Sequence, residues 1–228
     1  MKHDIQLIVF DIAGTTVKDN GEIADAFQQA MHEHGYEIPQ EKIYPLMGYK
    51  KPEAIRMMLE EYESDKPAIT TSYINIIHSR FLQLMVQYYQ TTNDLQPLPH
   101  AEEIFAHYKS KGVKIGLDTG FSHEITNVII EKLGWLKDGK IDYVVSSDEV
   151  QAGRPHPYMI QKMMTAANIT AAKKVVKLGD TEVDINEGKN ARCLFSIGVT
   201  TGAFTREALQ PYAPDFIIDD LKELMEIL

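Results

Sequence analysis

Residues 5–10 form a short, nearly continuous apolar run rich in branched side chains, the pattern of a strand buried on both faces. The run ends at Asp11, and Asp11-Ile-Ala-Gly-Thr-Thr16 reads as a turn with Gly14 at its centre. The spacing of apolar positions then becomes helical. Residues 22–34 fit a helix, and 51–62 fit another with Ile55, Met58 and Leu59 at helical spacing. A longer helix follows, whose expected apolar stripe holds Tyr73, Ile76, Ile77, Leu84 and Tyr88 with Phe81 between them. No strand pattern occurs from about 20 to 90, so these closely spaced helices predict a small bundle of their own.

Pro97-Leu-Pro99 closes that region. Strands expected at 114–117, 141–146, 175–178, 193–199 and 216–218 then alternate with helices at 100–111, 122–133, after Pro157, at 184–191 and at the C-terminus. This alternation predicts an α/β class: a Rossmann-like parallel sheet with helices on both faces, plus an inserted helical bundle. The expected division is a core of residues 1–17 and 93–228 and a helical cap of residues 18–92. Ligands of such sheets sit at the carboxyl ends of the strands. The chain carries no internal repeat and no low-complexity tract.

Composition narrows the function classes. A net charge of −10 disfavours a nucleic-acid partner, although a local pocket of Lys and Arg can still hold a small anion. Cys193 is the single cysteine, so no intrachain disulfide forms and a reducing compartment is the simplest reading. The first apolar run is too short for a signal-peptide core, and no segment is long enough to span a membrane. A cytoplasmic protein without a membrane partner is expected.

Four segments follow expected strands and so meet at one sheet edge: Asp11-x-Ala13-Gly14-Thr15-Thr16, Thr119-Gly120, Arg154 within Gly153-Arg154-Pro155, and Gly179-Asp180-Thr181-x-x-Asp184. Together they supply a carboxylate nucleophile, a hydroxyl donor, a fixed cation and a second acidic pair. Converging carboxylates repel one another unless a cation sits among them, and hard oxygen ligands favour Mg2+. Arg154 and Thr119, with the backbone N–H groups around Gly14 and Thr15, suit the equatorial oxygens of a phosphoryl group. A small phosphorylated or phosphonate metabolite is the expected ligand.

These motifs, in this order, resemble the haloacid dehalogenase superfamily over nearly the whole chain. The resemblance implies an aspartyl-phosphate on Asp11, with Asp11, the carbonyl of Ala13, Asp180 and Asp184 serving the metal. Relatives of this kind often dimerise through their caps, so a homodimer is left open.

Most phosphatases of that superfamily place a second Asp where this chain has Ala13; that Asp protonates the leaving oxygen. Without it an ordinary ester loses its leaving-group acid, whereas a phosphonate beside an aldehyde can lose its carbon as an enamine once a lysine has formed an imine. Met47-Gly48-Tyr49-Lys50-Lys51 offers such a lysine before a helix. With the Asp-x-Ala-Gly-Thr-Thr run it resembles the phosphonatase branch, and matching positions make Lys51 the Schiff-base residue, with Lys50 the competing register. Gly48, Met47 and Gly120 are the expected substrate-binding neighbours. The chain departs from that branch at Ala54, where a histidine is usual, and at Phe121, where a tyrosine is usual. Two other readings stay open: a phosphomonoesterase of the phosphoglycolate-phosphatase kind, and a non-catalytic phospho-metabolite binder.

Overall fold

The computed structural model describes residues 4–228. Residues 1–3, which precede the first apolar run, lie outside the described part. The elements in chain order are β1 (Leu7–Asp11), α1 (Glu22–His32), α2 (Gln40–Ile43), α3 (Lys51–Tyr62), α4 (Thr71–Thr91), α5 (Ala101–Ser110), β2 (Lys114–Thr119) and α6 (His123–Leu133). They continue with β3 (Tyr143–Ser146), α7 (Tyr158–Ala166), β4 (Val175–Gly179), α8 (Glu182–Asn190), β5 (Phe195–Val199), α9 (Arg206–Leu209), β6 (Phe216–Ile218) and α10 (Leu224–Ile227).

The strands form one sheet in the order β3-β2-β1-β4-β5-β6, every neighbouring pair parallel. β1 lies inside this sheet and all five of its residues are buried, which accounts for its unbroken apolar run. Helices cover the sheet, and α5 sends Phe105 edge-on against Phe10 at 5.3 Å and against Trp135 at 5.2 Å. The fold is the Rossmann-like parallel α/β class that the alternation predicts.

Register decides what reaches the carboxyl edge. Asp11 pairs with Asp118, Thr119 with Ser146, and Gly179 with Gly198. β2 runs on to Thr119, two residues beyond its expected end, so Asp118 and Thr119 belong to the strand itself. At the other margins Ile5 and Cys193 precede their strands, because backbone pairing starts later than the apolar run.

Helices α1 to α4 fill the stretch between β1 and α5 without a strand. The apolar stripe of α4 corrects the expected one: the buried side chains are Ile74, Ile77, Phe81, Met85 and Tyr89, while Ile76 is 56 % exposed. Successive helical residues point about 100° apart, so Ile76 and Ile77 cannot both face inward, and the helix buries the set that runs through Ile77. Phe81 stacks on Phe27 of α1 with ring centroids 4.3 Å apart, joining the two longest apolar faces of the insertion. Among the described residues no helix is long and apolar enough to cross a membrane.

Candidate active site

The turn after β1 is closed by backbone bonds from Gly14 N–H to Val17 and from Thr16 N–H to Ile12. Gly14 has φ +86, and a Cβ there would fall 2.8 Å from an Asp180 carboxylate oxygen. Only glycine lets this turn pass so close to the β4 loop. Thr15 donates to Asp180 at 3.3 Å, and the Ala203 N–H donates to the other Asp180 oxygen at 2.7 Å.

A small cavity of about 20 Å³ opens at this edge, room for little more than a water molecule as it stands. Asp11, Ala13, Thr119, Gly120 and Asp180 line it from the sheet side, and Met47, Gly48 and Lys51 line it from the insertion. Phe121 is also in the wall. Gly14, Thr15, Arg154 and Asp184 do not line the cavity; they stand behind it. Of the two adjacent lysines, Lys51 faces the cavity and is only 3 % exposed. Lys50 turns instead to a separate pocket beside Tyr49, Gly153 and His156.

The loop carrying Gly48 and Tyr49 is pressed against the core. A Cβ on Gly120 would lie 2.4 Å from the Tyr49 carbonyl oxygen and 2.5 Å from that of Gly48. The Tyr49 hydroxyl donates to Glu182 at 2.6 Å, tying the same loop to the first residue of α8. Lys51 opens α3, where the helix end does not favour a cation. Its ammonium lies 5.0 Å from the centre of the Phe121 ring and 5.5 Å from that of Phe27. Burial lowers its pKa to about 8, against the opposing pull of Asp11.

Beneath the cavity lies a fully buried ion cluster. Arg154 Nη2 contacts Asp11 at 2.6 Å and Asp118 at 2.7 Å, while Nη1 reaches Asp184 at 2.9 Å. Lys177 contacts Asp118 at 2.5 Å and Asp184 at 3.0 Å. Glu187 lies 3.4 Å from both cations. Burial, reinforced by Asp118, pushes the Glu187 carboxyl well above the usual range. Asp118, Lys177 and Glu187 are not in the set that the motifs single out. Lys177 was signalled by a lone charge inside an otherwise apolar strand, Val175-Val176-Lys177-Leu178.

Asp11, Asp118 and Asp184 each offer an oxygen within 4.8 Å of the others. Arg154 already compensates that trio. Asp180 differs: burial, then Asp11 and Asp184, drive its carboxyl well above the ordinary range, and no described cation pairs with it. A buried, oxygen-only donor set with an uncompensated carboxyl next to Asp11 fits a hard divalent cation. Asp184 spends one oxygen on Arg154 and Lys177 and the other on the Thr181 hydroxyl at 2.5 Å, within a capping box of α8.

Burial also pushes Asp11 up to about 6, with Arg154 opposing and Asp184 adding. Thr119 Oγ accepts from the Phe121 N–H at 3.1 Å, which leaves its own proton for a ligand. The arrangement therefore offers a carboxylate, a partly neutral amine and a hydroxyl donor around one small volume, with a fixed guanidinium directly behind the carboxylate.

Comparison with known proteins agrees with this geometry. The model of the haloacid dehalogenase-like hydrolase family matches residues 8–197. The chain is 28 % identical over 233 residues to a phosphonoacetaldehyde hydrolase of Bacillus cereus (strain B4264), covering 98 % of this chain and 86 % of that one. It is 31 % identical over 234 residues to a bifunctional phosphonoacetaldehyde hydrolase/aminoethylphosphonate transaminase of Clostridioides difficile (strain 630), covering 98 % of this chain but 36 % of that longer protein. Its fold is similar to the crystal structure of a phosphonoacetaldehyde hydrolase-like protein from Oleispira antarctica, with a TM-score of 0.79 at 20 % identity over 98 % of this chain and 91 % of that one.

Proposed function

The chain belongs to the haloacid dehalogenase-like hydrolase family, and from that premise we propose that it is a magnesium-dependent hydrolase of the carbon–phosphorus bond in phosphonoacetaldehyde or a similar small phosphonate. The observation that carries this reading is one cavity that holds the Lys51 amine and the Asp11 carboxylate together, with Ala13 where a leaving-group acid would otherwise stand.

Lys51, partly neutral near pH 8, attacks the aldehyde carbon and forms an iminium with loss of water. Asp11 then attacks phosphorus. The electrons of the breaking C–P bond pass through carbon to the iminium nitrogen, so the carbon departs as a neutral enamine and needs no proton from position 13. Water cleaves the aspartyl-phosphate, while protonation and hydrolysis of the enamine free the aldehyde and Lys51. Thr119 is suited to hydrogen-bond the phosphoryl oxygens as charge redistributes, while Arg154, behind the cavity, neutralises the Asp11 carboxylate. Asp11, the Ala13 carbonyl and Asp180 would hold the magnesium, with Asp184 in support. When bound, it neutralises the phosphoryl anion and lets a carboxylate approach it.

Ile23, Met47 and Phe121 wall a cavity too small, as it stands, to hold a substrate. The helical insertion, residues 18–92, would act as a cap that opens to admit it.

Phosphate release from phosphonoacetaldehyde with magnesium tests this. Native protein should release phosphate and be inactivated by borohydride with the label on Lys51, and Lys51→Arg should do neither. Release of phosphate from both would eliminate the imine route.

A further inference from the structure

Imine formation at Lys51 needs more than the amine. The carbonyl oxygen must take a proton as the C–N bond forms and a second as it leaves as water, and the nitrogen must give one up between these events. Among the described residues, four titratable side chains line the cavity: Asp11, Asp19, Lys51 and Asp180. Asp11 is committed to phosphorus and Asp180 to the cation, while Lys51 is the amine itself. Only Asp19 remains.

We propose that the Asp19 carboxyl is the general acid and base that carries protons to and from the oxygen and nitrogen during imine formation on Lys51. The inference rests on the Lys51 imine reading and adds to it a catalytic group that no motif marks.

Its setting suits the task. Asp19 lies between β1 and α1, where the chain first leaves the sheet, and it is half-buried in the cavity wall. One oxygen accepts the Gly21 N–H at 2.9 Å, which fixes the carboxyl plane and leaves the other oxygen to work. Glu22 lies close by, and its carboxylate accepts the Asn20 N–H at 2.7 Å. Burial raises Asp19 to about 6; the Gly21 bond and the Lys51 charge oppose that rise, and Glu22 adds to it. A carboxyl poised there can be found in either form near neutral pH, as a group that both gives and takes protons must be.

The protons balance. The neutral Lys51 amine forms the C–N bond, and the carbonyl oxygen takes the Asp19 proton, giving a hydroxyl and an ammonium-type nitrogen. Asp19, now a carboxylate, removes one proton from that nitrogen. It returns this proton to the hydroxyl, the C–O bond breaks, and water departs to leave the iminium. Hydrolysis of the product imine runs the same steps backwards.

The test is borohydride trapping of Lys51 with acetaldehyde, followed by mass under single-turnover conditions, in native protein, Asp19→Asn, Asp19→Ala and Asp19→Glu. The asparagine and alanine variants should trap roughly 10²-fold more slowly or worse, the lower end of the 10²–10⁴ scale of general acid–base catalysis. Added formate should restore a large part of the rate in Asp19→Ala, and Asp19→Glu should retain much of it. A merely structural role would not respond to formate. Trapping at the native rate in Asp19→Asn would overturn the proposal and leave the Lys51 reading intact. Absence of any adduct on native Lys51 would end both.

Discussion

The Lys51 ammonium stands 5.0 Å from the centre of the Phe121 ring, so a residue of the helical insertion is held against the loop that follows β2. Phe27, stacked in turn on Phe81, closes on the same amine from the insertion side at 5.5 Å. Aromatic faces stabilise a cation, whereas burial disfavours it, and here burial is the larger effect because the amine is lowered to about 8. Phe121, which departs from the usual tyrosine of phosphonatases, thus contributes to the electrostatics of the Lys51 amine.

A measurable pH dependence follows. With a pKa of about 8, the neutral fraction of Lys51 rises about tenfold between pH 7 and pH 9 and then levels off. An ordinary exposed lysine would gain about a hundredfold over the same interval and keep rising. The rate of aldehyde-dependent borohydride labelling, measured from pH 6.5 to 10, separates the two curves. A rate still climbing steeply above pH 9 would contradict a depressed Lys51.

Replacing Phe121 by leucine removes the ring face but keeps the wall apolar. A cation–π contact is worth roughly 0.5–2 kcal/mol, so the midpoint of that labelling curve should move down by about 0.4 to 1.5 units. Movement upward would mean that water had entered and that shape, not the aromatic face, sets the amine.

Ala13→Asp tests why this position lacks a carboxyl. Ala13 is half-buried and lines the cavity beside Asp11. An aspartate there would supply a proton to an alkoxide leaving group, worth roughly 10²–10⁴ in rate, and hydrolysis of an alkyl phosphate ester should rise within that range. Phosphonoacetaldehyde cleavage should not gain, because its carbon leaves as an enamine. Equal gains on both substrates would argue against an enamine leaving group.

Much of this architecture was legible before any coordinates. Periodicity located the strands because β1, β2 and β4 are buried runs, and four motifs each ending a strand had to meet at the carboxyl edge. What pattern could not give was the ion cluster. Arg154 and Asp118 are 36 residues apart, and Thr15 and Asp180 are 165 apart, so their contacts exist only once strand register is fixed. Asp118 lies one residue past the strand end expected at 117, and Asp19 sits at the boundary of the expected cap, outside every motif. The choice between Lys50 and Lys51 depends on helix phase at the first turn of α3, where one residue rotates a side chain from the cavity to a neighbouring pocket.

The buried cluster predicts a stability cost distinct from catalysis. Lys177→Met leaves Asp118, Asp184 and Glu187 with Arg154 as their remaining contacting cation. Removing one member of a buried ionic set costs about 3–5 kcal/mol, which in a chain of this size lowers Tm by roughly 6–20 °C. Differential scanning calorimetry measures it, and an unchanged Tm would mean that methionine packing compensates the lost charge.

Gly120→Ala separates fold from function most sharply. The added methyl would sit 2.4 Å from the Tyr49 carbonyl oxygen and 2.5 Å from that of Gly48, and both obstacles are backbone atoms that cannot rotate aside. The loop must therefore back away from the core, straining the Tyr49–Glu182 hydrogen bond and carrying Lys51, two residues further on, away from Asp11. The sheet does not depend on that contact, and the insertion keeps the Phe27–Phe81 stack, so Tm should fall only modestly. A displacement of about 1 Å between reacting groups costs on the order of 10²-fold in rate. Phosphate release by Gly120→Ala should drop by about that factor, with borohydride labelling of Lys51 falling far less, because the amine remains competent and only its alignment with Asp11 is lost. Equal losses in both would show that the methyl disturbs the amine itself.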